Sequence, residues 1–170
     1  MITRRHMFEP LLAALPGFRP AWQAFADHWT DASRDRGAEP GDLPHYLLIA
    51  DLARHLADLL EAGRQDDVRH ALAVAERWLL EGDAYVKEAA TVGLIEDLQN
   101  VAQRRGIAED RFTVLLGPEG RHWWDKVSRF WSKGEHLVDE RSMSPSARAV
   151  WKMGQTFNLA RWRARRRDLP

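Results

Sequence analysis

The stretch from Asp83 to Ala102, DAYVKEAATVGLIEDLQNVA, constrains the fold more than any other in the chain. Val86, Ala90, Leu94, Leu98 and Val101 form one stripe at helical spacing, and Ala89, Val92, Gly93 and Ile95 widen it beyond the arc a surface helix needs. A helix so widely apolar buries its flanks only in the middle of a bundle. Gly93 weakens a helix interior by about 1 kcal/mol relative to Ala, so it marks a place where another backbone comes close.

The neighbours read as helices too. Phe8 to Leu15 predicts a short helix stopped by Pro16-Gly17, and a second starts at Pro20 with Trp22, Phe25, Ala26 and Trp29 on one face before ending at Gly37. From Pro44, Leu48, Leu52, Leu56 and Leu59 make a stripe opposite Asp51, Arg54 and Asp58, closed at Gly63. The next helix begins near Gln65 to Asp67 with acids in its first turn and buries Val68, Ala71, Leu72, Ala75, Trp78 and Leu79. Glu81-Gly82-Asp83 is too short to do anything but reverse the chain, with Asp83 as N-cap of the central helix, so residues 44–103 form three antiparallel neighbours. Ile107 to Leu116 fits a helical turn or a strand; helix is preferred because no partner strand appears elsewhere. Gly117-Pro118-Glu119 opens a further helix carrying Trp123, Trp124, Val127, Phe130 and Trp131, stopped at Gly134. Ser144-Pro145 starts a last one, with Val150, Met153, Phe157 and Ala160 on one face and RWRARRR at its end. The expectation is an all-α, single-domain bundle or short helical stack of about six or seven helices.

At 170 residues the chain is long enough for one domain with a real core. It has no Cys, which excludes disulfides, thiolate metal sites and cysteine nucleophiles. No run approaches the roughly 18 apolar residues of a membrane span, and LLAAL is shorter than a signal-peptide core, so a soluble, cytoplasmic protein without export signal is expected. The formal charge of zero conceals an asymmetry: residues 1–143 hold 18 Lys/Arg against 24 Asp/Glu, net −6, and residues 144–170 hold 7 against 1, net +6. The division expected is therefore an acidic helical domain, 1–143, with its stack at 44–133, and a basic tail, 144–170.

Catalytic signatures are missing from the sequence: no nucleophile elbow, phosphate loop, dinucleotide fingerprint, zincin helix or EF-hand. Asp51 with His55, Asp67 with His70, and Glu76 and Glu96 are the best acid-histidine collection, and a carboxylate/His metalloenzyme built on Asp51, His55, Glu76 and Glu96 is the least favoured reading. Glu76 and Glu96 either pair with an Arg such as Arg54 or Arg77 and fix helix register, or belong to an acidic binding surface. Residues 42–119 hold 15 acids and 8 bases, net −7, which attracts a basic partner. Trp123 and Trp124 sit at core spacing, so whichever points outward is the candidate aromatic anchor. Arg161, Arg163, Arg165, Arg166 and Arg167, with Trp162, have the composition of a nucleic-acid contact, although the acidic body repels the same phosphates.

The runs HLADLLEAG, HALAVAERWLLEGDAYVKEAATVGLIEDLQN and LLGPEGRHWWDKVSRFW together resemble a group of short all-helical bacterial proteins of uncharacterised function, immunity-type partners in toxin loci, over roughly residues 44–133. No catalytic motif defines that group. The resemblance implies a cytoplasmic binding protein; separately, no cofactor, metal or membrane attachment is expected. The function expected is neutralisation of a basic toxin or effector through an acidic face comprising Glu61, Asp66, Asp67, Glu81, Asp83, Glu88 and Glu96. The alternative is a nucleic-acid-associated regulator acting through the Arg-rich tail.

Overall fold

The computed structural model describes residues 1–36, 43–139 and 141, with side chains through residue 29 in the first stretch. The elements are α1 (Phe8–Ala14), α2 (Arg19–Arg36), α3 (His45–Glu61), α4 (Gln65–Glu81), α5 (Ala84–Glu88), a π-helical segment (Ala89–Ile95), α6 (Glu96–Arg105), α7 (Asp110–Thr113) and α8 (Pro118–Lys133). Single 3-10 turns stand at Arg4–His6 and Pro16–Phe18. The all-α expectation is met, and strand pairing among the described residues is limited to one isolated bridge between Ile2 and Gly82. The chain divides into two compact units, 1–124 and 125–170, with the boundary inside α8.

In the first unit α5, the π segment and α6 run on as one rod, packed against α3 and α4. Val86, Ala90, Leu94, Leu98 and Ala102 are all buried, each four residues from the last. An α-helix has 3.6 residues per turn, so a strict four-residue spacing drifts by about 40° per step and leaves the contact face. The π segment closes i to i+5 bonds and so winds more residues into a turn, which offsets the drift. Within the segment Val92, expected inside, is 40% exposed, and beyond it Val101 is only half-buried. What approaches Gly93 is side chain rather than backbone: a Cβ there would stand 3.2 Å from Cγ2 of Ile49 and 3.4 Å from Cδ1 of Tyr46.

The rod begins as expected, with the Asp83 carboxylate accepting from Val86 N at 2.9 Å, and ends at Gly106, whose φ of +65° suits a residue without Cβ. The N-terminal segment is tied to the same corner. Ile2 N donates to Glu81 O and Asp83 N to Ile2 O, both at 2.8 Å, and the Trp78 indole donates to Met7 O at 2.9 Å. Helix α1 then packs on α4 with Phe8 against the Trp78 ring. The stretch 107–116 forms only the short α7, but buries Ile107, Phe112, Leu115 and Leu116.

Glu76, half-buried on α4, accepts from Glu119 N and Gly120 N, both at 2.8 Å, and so caps α8 from 43 residues away. This corrects the expected arginine partner: Arg54 pairs with Asp51 and Arg77 with Glu81. The N-terminus of α8 is a concentration of unsatisfied amides and positive dipole, and a carboxylate answers both. Gly117 leaves room for it, because a Cβ there would meet the Glu76 carboxyl group and push it off the two amides.

In the second unit, Lys126 is buried and donates to Val138 O at 2.7 Å, and Arg129 pairs with Glu135 at 3.1 Å. Trp131 is exposed. The helix expected after Ser144 lies outside the described residues.

Candidate protein-binding surface

The seven expected acids do not share one environment. Glu61, Asp66 and Asp67 cluster at the turn between α3 and α4, whereas Glu81 and Asp83 lie at the far end of α4, which at 17 residues is about 25 Å long. Several are already neutralised. Arg105 bridges Asp58 at 2.6 Å and Glu61 at 2.9 Å, Arg64 holds Asp67 at 2.6 Å, Asp66 stands 3.9 Å from Arg69, and Arg77 forks onto both oxygens of Glu81. That fork holds the Glu81 carboxyl below its ordinary value. Asp83 is engaged as a cap and also accepts from Arg4 N at 3.2 Å.

Glu88 and Glu96 differ. Both lie on the rod, one just before the π segment and one just after it. Glu88 is exposed and accepts a hydrogen bond from the Tyr46 hydroxyl; burial and this carboxylate together push the phenol up to about 12. Glu96 is half-buried and makes no hydrogen bond or ion pair among the described residues. Burial pushes its carboxyl up, and the like charge of Asp97 adds to the effect. Asp97 is raised as well, by burial, against the pull of Arg54 and Arg104. Between Glu88 and Glu96 the rod exposes Val92, an apolar side chain between two acids.

The aromatic anchors separate. Trp124 is 2% exposed, stacked on Phe112 at 6.2 Å with its indole toward Glu109 at 3.4 Å, and is therefore core. Trp123 is half-exposed and remains the outward one. Among the described residues no group of three or more His, Asp or Glu side chains is placed to hold a metal ion. Asp51 pairs with Arg54, His55 packs on Phe18 at 5.4 Å, and the Glu76 oxygens face backbone amides. Arg161, Arg163, Arg165, Arg166 and Arg167 lie outside the described residues.

Periodicity announced neither the Glu76 cap nor the singular position of Glu96. The sequence signal was an acid in otherwise apolar surroundings, which is shared by both and does not tell a capping carboxylate from an unpartnered one.

These features define an all-α helical protein organised on a rod with a π turn, and none of its described helices is long and apolar enough to cross a membrane. The chain belongs to the family described as Domain of unknown function (DUF7674), whose pattern matches residues 8–132, from α1 to the last turn of α8. No curated protein and no solved structure matches it.

Proposed function

We propose that the protein is a non-enzymatic, cytoplasmic protein-binding module of the immunity type, which neutralises a toxin or effector by setting carboxylates against a basic surface. The observation that carries this reading is Glu96. A carboxylate kept partly desolvated, beside a like charge and without a cation among the described residues, opposes folding, and such a group persists where an external partner supplies the cation. Glu88 and Val92 extend the same strip of the rod, so a Lys- or Arg-bearing surface with an apolar contact between its charges fits it. Glu61, Asp66, Asp67 and Glu81 add long-range field rather than contacts, since an intramolecular Arg stands by each.

The test uses the products of the genes flanking this one as candidate partners. With a partner that forms a complex, stopped-flow association should slow by roughly ten-fold between about 50 and 300 mM salt, and a Glu88→Gln/Glu96→Gln variant should lose affinity. A complex whose rate ignores salt and whose affinity ignores both substitutions overturns the acidic-surface mechanism.

A further inference from the structure

In the π segment, Ala89–Ile95, six of the seven residues are buried, and the seventh, Val92, is 40% exposed. The wide turn shows in its bonds, since Glu96 N donates to Thr91 O, five residues back. At the change from one bonding pattern to the other, the buried Thr91 donates its hydroxyl to Lys87 O at 2.8 Å. Gly93, next to Val92, packs close on Ile49 and Tyr46 of α3. π turns make up well under 1% of residues and recur at functional positions, so this one needs a cause.

The angles supply one. Ala102 follows Val86 by sixteen residues, and at about 100° per residue an α-helix would carry it about 160° round the axis, off the face that both occupy. One residue fewer would leave the two about 60° apart, within the width of a buried stripe. The same count governs the open side, where Glu88 and Glu96 would stand about 80° apart over eight α-helical steps and about 20° apart over seven. We propose that Val92 is a residue in excess, bulged outward by the π turn as an apolar contact between two carboxylates, while the rest of the rod keeps the register of an uninterrupted α-helix. Every other residue of the segment is committed to the core, so Val92 is the one that can be spared.

The contact made by Val92 rests on the binding reading given above; the surplus itself does not. The rod buries its stripe without this side chain, so the use of Val92 lies at the surface. There it meets the apolar part of a Lys- or Arg-bearing partner, with Glu88 and Glu96 on either side to take the cations.

Deletion of Val92 from the full chain tests the surplus. The variant should unfold cooperatively with a midpoint within about 4 °C of the native one, as for the loss of one surface side chain. The bond from Glu96 N to Thr91 O, five residues long in the native chain, should survive as an ordinary four-residue one, read by NMR scalar coupling across the hydrogen bond. Deletion of Ala73, exposed in the middle of the regularly wound α4, is the control: it turns Trp78 and Leu79 by about 100° against Val68 and Leu72 and should abolish cooperative unfolding. A Val92 deletion that fails to fold overturns the proposal, and so does one in which Glu96 N bonds to Ala90 O instead. With a flanking-gene product that forms a complex, the Val92 deletion should weaken affinity several-fold and keep the salt dependence of association, because both carboxylates stay in place. Unchanged affinity here, beside a loss in Glu88→Gln/Glu96→Gln, overturns the contact while the acidic-surface reading stands; no loss in either variant overturns both.

Discussion

At the scale of single residues, Glu96 and Asp83 show how one side-chain type takes opposite roles. Asp83 accepts from two backbone amides and stabilises the corner where the rod begins; losing an N-cap of this kind costs about 1 kcal/mol. Glu96 accepts no hydrogen bond among the described residues and is pushed by burial toward its protonated form. A carboxyl raised on folding contributes stability that is present below its unfolded value and lost as pH rises through its folded one. Glu96→Gln resembles the protonated form, so it should raise the thermal midpoint at pH 7, with the gain vanishing near pH 4. Calorimetry at the two pH values reads this, and a gain equal at both would refute the assignment. Very little of this was legible beforehand. Asp83 as a cap follows from its place before an apolar run, whereas the solitude of Glu96 depends on where Arg54 and Arg104 point, which only the fold decides.

At the scale of elements, the junction between α4 and α8 rests on one carboxylate and one missing side chain. Glu76→Ala removes two hydrogen bonds in which the acceptor is charged and leaves two amides of α8 without it, a loss of about 2 kcal/mol, or about 4–8 °C in midpoint for a domain of this size. Gly117→Ala forces the same carboxylate aside and should cost a comparable amount. Because both act on one contact, the double variant should be little worse than either single one, and full additivity in the cycle would refute the shared mechanism. Helix starts were readable here, since Pro118 and Glu119 announce a first turn. The acceptor was not, lying 43 residues back on α4. The rod teaches the converse lesson: Val86, Ala90, Leu94, Leu98 and Ala102 repeat every fourth residue, and that regularity is itself out of step with an α-helix. Read as α-helical, the pattern puts Val92 inside; read with a wider turn, it leaves Val92 at the surface.

At the scale of the molecule, net charge separates the two partner classes that the sequence raises. Residues 1–143 carry net −6 and residues 144–170 net +6, so the whole chain presents no monopole to a distant partner. Deleting the chain after Met143 uncovers the field of the acidic body. If a basic protein is the partner, association at about 20 mM salt should become several-fold faster than for the full chain. At about 300 mM salt, where the screening length is well under 10 Å, the two rates should converge while affinity persists, because the rod and its carboxylates are intact. If nucleic acid is the partner, the same deletion removes five of the cations nearest the end, Arg161, Arg163, Arg165, Arg166 and Arg167, and binding to a duplex probe should fall with a shallower salt slope. Measuring both probes on both proteins gives opposite signs for the two readings. A truncated chain that binds the basic protein more slowly at low salt would exclude steering by the acidic body.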